Sequence, residues 1–241
     1  MIRTITTICF ACFIVSGILA QSKEQLILGA WQRDYKDDKG AYKGIGIVTD
    51  GYFSVAKFDQ SGKRFISTIG GSWYVKGDTI YEKIEFNTEN PDLVGTTVSS
   101  YFSVDNKQLS FIDSKEEWKR VDTGQPGKLF GAWAITGRER NGQMFFRQPN
   151  ARITMKILSG TRFQWIAYNT ETTEFLGTGG GTYTTEDGKY VENIEFFSRN
   201  SARVGASLSF DFELKDDGWH HRGKSSSGKP IYEIWGLRSK L

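Results

Sequence analysis

Beyond residue 20 the chain has no cysteine; Cys9 and Cys12 both lie in the first twenty residues. Disulfide stapling, thiolate metal sites and cysteine nucleophiles are thereby excluded from the rest of the molecule. Histidine is nearly absent too, confined to the adjacent pair His220-His221, and proline occurs four times in 241 residues. Excess charge of one sign is also missing. The formal net charge is +3, or +2 without Arg3, which offers nucleic acid or an acidic membrane no long-range field. There is no Gly-x-Ser-x-Gly elbow, phosphate loop or dinucleotide fingerprint, and no apolar run after residue 20 long enough to span a bilayer as a helix. Aromatics, at 14%, and 27 glycines are what the chain has in plenty. That composition belongs to a folded, turn-rich protein rather than a disordered or collagenous one.

Residues 1–20 carry one early charge, Arg3, then an apolar run from Ile5 to Leu19 closed by Ala20. This is the pattern of a secretory signal peptide, with cleavage expected after Ala20 and a secreted or periplasmic destination. Cys9-Phe10-Ala11 is a poor lipoprotein box before Cys12, and the C-terminal Ser239-Lys240-Leu241 would never meet a peroxisomal receptor in an exported chain. The mature protein is expected not to be integral to the membrane. An outer-membrane barrel fits poorly, because the inward-facing positions are apolar where such barrels have a polar lumen.

The chain repeats itself. Gly29-Ala30-Trp31 recurs as Gly131-Ala132-Trp133, and Gly70-Gly71 as Gly180-Gly181. Glu82-x-Ile84-Glu85-Phe86 recurs as Glu192-x-Ile194-Glu195-Phe196, and Val94-Gly95 as Val204-Gly205. At an offset of 110, Phe53–Val104 shares 14 identities in 52 positions with its copy, far above the ~6% expected of unrelated residues. The turn-rich Asp122-Thr-Gly-Gln-Pro-Gly127 joins the copies. The expected organisation is a leader over 1–20, one domain over 26–122, a linker at 123–127 and a second domain over 128–241.

Apolar residues alternate with polar ones in both copies, and a sustained helical period is absent. Turn signals cut the first copy into strands near 27–36, 43–49, 52–58, 64–75, 79–87, 94–104, 108–113 and 116–121. Eight short antiparallel strands with tight turns predict an all-β fold of two tandem eight-stranded up-and-down barrels. A β-sandwich of the same strands is the alternative.

The opening Gly-x-Trp, the Gly-Gly-x-Trp/Tyr, the Ile-Glu-Phe, the Val-Gly and the closing Glu-x-Trp or Glu-Trp, in that order and twice over, resemble the lipocalin (calycin) superfamily. More narrowly they resemble lipocalin-like domains of unknown function in secreted proteins of Gram-negative bacteria. The resemblance implies that a first-strand Trp closes one end of each barrel under a last-strand Arg. This pairs Trp31 with Arg120, and Trp133 with Arg238. The second pair departs from the pattern by one residue.

By alternation Glu82 and Glu192 point into the barrels, where an unpaired carboxylate is costly. Each is either a polar anchor for a ligand or a buried carboxylate satisfied by a neighbouring cation or hydroxyl. Glu82 and Glu85, on opposite strand faces, cannot flank one bond as glycosidase carboxylates do. His220 and His221 point apart and lack a carboxylate cluster at ligand spacing, so no metal is expected, nor any cofactor or catalytic residue. The first copy places Phe53, Phe65, Trp73, Phe86 and Phe102 inward. The second places more rings inward: Phe163, Trp165, Phe175, Tyr183, Tyr190, Phe196, Phe210 and Phe212. An eight-stranded barrel is either filled by side chains or holds one small ligand. The first barrel is therefore the expected pocket, with Glu82, Trp73, Phe53, Phe65 and Phe102 about the ligand, and the second is expected to be solid.

Two functions follow from these residues. One is non-covalent binding of a small, largely apolar molecule; the other is a structural or interaction module of the cell envelope, with closed barrels and a protein or glycan partner. An isomerase- or cyclase-like enzyme, as some calycin barrels are, is a third.

Overall fold

The computed structural model describes residues 21–148 and 150–241. The signal-peptide reading of residues 1–20 lies outside the described residues. One short helix, α1 (Lys23–Leu26), opens the fold, held by a capping box in which Ser22 and Gln25 satisfy each other's backbone N–H groups. No helix among the described residues is long and apolar enough to cross a membrane.

The first barrel is built from β1 (Gly29–Asp37), β2 (Gly40–Thr49), β3 (Tyr52–Asp59), β4 (Phe65–Lys76), β5 (Thr79–Asn87), β6 (Thr97–Val104), β7 (Gln108–Phe111) and β8 (Glu116–Asp122). Each strand pairs antiparallel with the next, and β8 returns to β1, which closes the sheet and rules out the sandwich. The second barrel uses β9 (Gly131–Arg140), β11 (Arg152–Leu158), β12 (Arg162–Asn169), β13 (Phe175–Glu186), β14 (Lys189–Phe197), β15 (Ser207–Lys215), β16 (Gly218–Lys224) and β17 (Pro230–Leu237). It closes through β9–β17 pairing. A ninth strand, β10 (Gln143–Phe146), folds back on the end of β9 as a hairpin. That insertion accounts for the change of repeat offset between the Gly-Ala-Trp motif and Phe53/Phe163.

Strand register is set by bulges as much as by alternation. Gly70 pairs with Phe86 but Gly71 with Ile84, so Glu85 is an extra residue on β5; the same slip occurs at Gly180/Gly181. A Cβ at Gly71 would overlap the Lys83 carbonyl, so only glycine lets the strands approach this closely. The bulge turns Phe86 and Phe196 away from Ile84 and Ile194. Ile84 faces the first barrel's interior, whereas Phe86 and Phe196 pack between the barrels. Phe65 and Phe175 also lie between the barrels, stacked on each other with ring centroids 6.3 Å apart. The inward placement of these four rings is thus corrected: a bulge between Lys57 and Phe58 shifts the β3–β4 register as well.

The inter-barrel core joins Ile45, Ile47, Ala56, Phe58 and Phe86 of the first barrel to Met155, Ile157, Ile166, Tyr168 and Phe196 of the second. Its contacts are quasi-symmetric. Phe58 stacks on Phe196 at 4.5 Å, and their repeat equivalents Tyr168 and Phe86 meet at 4.9 Å. Gln164 donates across the junction to Thr68 at 2.8 Å, and within its own barrel to Thr178, the repeat equivalent of Thr68, at 3.0 Å.

Candidate functional site

The same Glu sits in both barrels, but its surroundings differ. In the second barrel, Lys156 on β11 reaches Glu192 on β14 at 2.5 Å, with both side chains almost wholly buried. The Lys156 ammonium also lies 4.9–5.6 Å from the ring centroids of Tyr190, Phe210, Trp219 and Trp235, a cation–π cage. His221 completes the packing; burial, then the Lys156 charge, pushes its pKa down to about 4. His220 turns the other way, to Tyr232 and Asp217.

In the first barrel the position equivalent to Lys156 is Gly46, which lies opposite Trp31 on β1 as Lys156 lies opposite Trp133 on β9. Tyr190, Phe210 and Trp219 become Ile80, Ser100 and Leu109 at the same offset. The deleted volume remains as an apolar void of about 40 Å³, lined by Gly46, Val48, Phe53, Trp73, Glu82 and Trp118 among others. That exceeds the roughly 10–15 Å³ needed for one water. Glu82 forms no hydrogen bond or ion pair with any described residue, and part of its surface faces the void. Burial, and secondarily the Glu116 carboxylate, raises its pKa to about 7. It can therefore donate from its acid form or accept from its anion near neutrality. Glu116 itself is tied to Arg33 and accepts from Trp118 Nε1 at 3.4 Å, so it is not a free partner for proton transfer.

The sequence-predicted residues divide accordingly. Glu82, Trp73 and Phe53 line the void. Trp73 uses its Nε1–H on the Thr49 carbonyl at 2.9 Å, which leaves only its ring to the void. Phe102 packs in the same barrel core without being among the lining residues. Phe65 lies outside the barrel, at the junction.

The barrel ends also differ. Arg120 covers the Trp31 ring at 4.0 Å and donates to the Leu28 carbonyl at 2.9 Å, while Trp31 Nε1 donates to the Ile27 carbonyl at 2.8 Å. Trp133 donates equivalently to Leu129 at 2.9 Å. Arg238, however, does not stack on Trp133. Leu237 takes the register position opposite Trp133, and Arg238 crosses the junction to lie 4.2 Å over Tyr52 and 2.9 Å from Glu85. The one-residue departure in spacing is what sends the guanidinium to the other barrel.

Sequence reasoning missed Gly46 and Trp118. Gly46 was detectable, because the offset of 110 sets it against Lys156. Trp118 needed the closed seam to be seen. β1 and β8 pair only over Ala30–Gln32 and then diverge, leaving an open polar groove of about 550 Å³. Trp118 lines both that groove and the void.

No family model matches the sequence, and no characterised protein matches it. Among solved structures, the Cpx pathway activator NlpE from Escherichia coli aligns with 88% of this chain and 96% of its own, at 7% identity and a TM-score of 0.26. A likeness that loose carries no weight for either fold or function.

Proposed function

We propose that the first barrel binds a small, largely apolar molecule bearing one polar group, outside the cytoplasm, and that the second barrel is its solid structural partner in a lipocalin-like pair. The observation that supports this most is the asymmetry of the two glutamates: Lys156 neutralises Glu192, while Gly46 leaves Glu82 unpartnered beside an apolar void. Desolvating a carboxylate without a partner is costly, and an occupant that hydrogen-bonds to Glu82 would offset that cost. A void of about 40 Å³ is well below the roughly 300 Å³ of ordinary ligand pockets, so an occupant of more than a few atoms requires lining side chains to shift. The leader reading of residues 1–20 supports the location.

The test is binding of a neutral apolar fluorophore, N-phenyl-1-naphthylamine, together with native mass spectrometry of protein purified from its own host. Binding by the wild type that is lost in Gly46→Lys supports the reading. Binding that survives Gly46→Lys, or no binding and no retained molecule, overturns it.

The interaction-module reading also has an observation in its favour. Tyr74 and Tyr101 are about half exposed on the outer face of β4–β6, and Tyr74 stacks on Tyr81 at 4.9 Å with Lys76 over both rings. Such a platform suits an envelope protein or glycan partner.

A further inference from the structure

The second barrel carries a cleft that the first lacks. Along one edge of β9, residues Gly131–Ala134 pair with β11, and Gly137–Arg140 pair with β10. The sheet forks between them, and the fork leaves a cleft of about 280 Å³. Its apolar wall comes from Ala134, Ile135, Ile153 and Leu241. Three arginines line it as well: Arg147 after β10, Arg152 at the start of β11, and Arg238, whose guanidinium is already paired with Glu85.

Among the described residues neither Arg147 nor Arg152 has an acidic group within 4 Å, the chain's terminal carboxylate included. The nearby Arg138 is neutralised by Glu233, and Arg238 by Glu85. The backbone of Arg147 is anchored, because its N–H donates to the Thr136 carbonyl at 2.7 Å across the fork. Its side chain is partly buried, and that burial, followed by repulsion from Arg138 and Arg152, lowers its pKa. Two cations without an acidic partner, lining one cleft with an apolar wall, form an arrangement that gains free energy when an anion arrives.

We propose that the fork between β10 and β11 is a binding site for an anionic amphiphile. Its carboxylate or phosphate head lies between Arg147 and Arg152, and its alkyl portion lies against Ala134, Ile153 and Leu241. Both parts of the ligand are required by the cleft: the arginines alone would take any small anion, and the apolar wall alone would take any alkane. The site is separate from the void of the first barrel.

The mature chain is titrated calorimetrically with dodecyl phosphate, sodium dodecanoate, inorganic phosphate and dodecyltrimethylammonium, each below its micelle concentration. The two alkyl anions are expected to bind, inorganic phosphate much more weakly, and the alkyl cation not at all. Arg147→Gln with Arg152→Gln is expected to weaken the alkyl anions by about tenfold or more, since each charge-assisted hydrogen bond lost is worth at least about that much, with the thermal midpoint unchanged. Gly46→Lys, which fills the first barrel, is expected to leave this binding intact. Three outcomes overturn the proposal: alkyl anions that bind the double variant as well as the wild type, a cation that binds as tightly as the anions, or binding that disappears in Gly46→Lys. Inorganic phosphate binding as tightly as dodecyl phosphate overturns the amphiphile assignment.

Discussion

Glu82 and Glu192 occupy equivalent positions but should respond oppositely to the same substitution, because only Glu192 has a cation partner. In the unfolded chain Glu82 loses its proton near 4.5, and in the folded chain near 7. Between those values the folded state binds more protons, so the stability Glu82 contributes is fully present below 4.5 and declines as pH rises to 7. A shift of that size corresponds to about 3 kcal/mol over the window. Glu82→Gln should abolish the decline and make the variant more stable than the wild type above pH 7, in chemical denaturation at several pH values. Glu192→Gln instead strands the Lys156 ammonium and should cost about 3–5 kcal/mol at neutral pH. A similar loss at both positions would show that Glu82 has a cation partner after all. Gly46→Lys completes the set. A Cβ at Gly46 would meet Val55, Trp118 and Trp31 at 3.7–3.9 Å, ordinary van der Waals distances, so the residue has room to begin a side chain. The new ammonium should pair with Glu82 as Lys156 pairs with Glu192, removing the pH-dependent decline from the first barrel. If that decline persists unchanged, the inserted lysine has not reached Glu82.

At the scale of strands and turns, the sequence was most legible where alternation runs without a bulge. All eight strands expected in the first copy begin within three residues of the observed ones, since Gly-containing turns at Asp50-Gly51 and Gly77-Asp78 mark their ends. β6 is read three residues early, because Val94–Thr96 belong to the turn after the 3-10 segment Pro91–Leu93. Facing was less legible than strand position. One extra residue at Glu85 inverts the side on which Phe86 lies, and period-two reasoning cannot see an insertion whose cause is the Gly70-Gly71 contact on the neighbouring strand. Thus alternation places Glu82 and Phe53 on the interior side where the void lies, whereas Phe65, expected at the cavity, belongs to the junction. The residue that leads into the linker is a clasp. Asp122, the last residue of β8, accepts from the backbone of Gly124, Gly160 and Thr161 and from the hydroxyls of Ser159 and Thr161 at 2.6–3.0 Å. Asp122→Ala leaves several of these donors without a charged acceptor and should cost about 3 kcal/mol or more. Asp122→Asn, which keeps one acceptor oxygen, should recover part of it. An equal loss in both variants, measured by urea titration, would assign the effect to the charge rather than to the hydrogen bonds.

For the molecule as a whole, the shared core decides how the two barrels unfold. The residues buried between them include Ile45, Ile47, Phe58 and Phe86 on one side, and Met155, Ile157, Ile166, Tyr168 and Phe196 on the other. Side chains of this size contribute about 1.5–3 kcal/mol each when buried, so separating the barrels would cost as much as a typical domain's whole stability. Neither barrel should therefore melt alone. Calorimetry of residues 21–241 should show one transition with equal calorimetric and van't Hoff enthalpies, and two resolved transitions would contradict the shared core. The quasi-symmetry of the junction carries this further. Phe58 meets Phe196, the equivalent of Phe86, while Phe65 meets its own equivalent, Phe175. Lys43 meets Glu195, the equivalent of Glu85, at 3.4 Å. A surface that fits its own repeat fits itself, which is the condition for an isologous dimer. Expressed alone, residues 21–122 should therefore dimerise, with Phe58 against the partner's Phe86 and Lys43 against the partner's Glu85. Phe58→Asp should shift that fragment to monomer in sedimentation equilibrium. A wild-type fragment that stays monomeric and folded at micromolar concentration would mean that the junction is specific to the paired sequences, with no trace left of a symmetric ancestor.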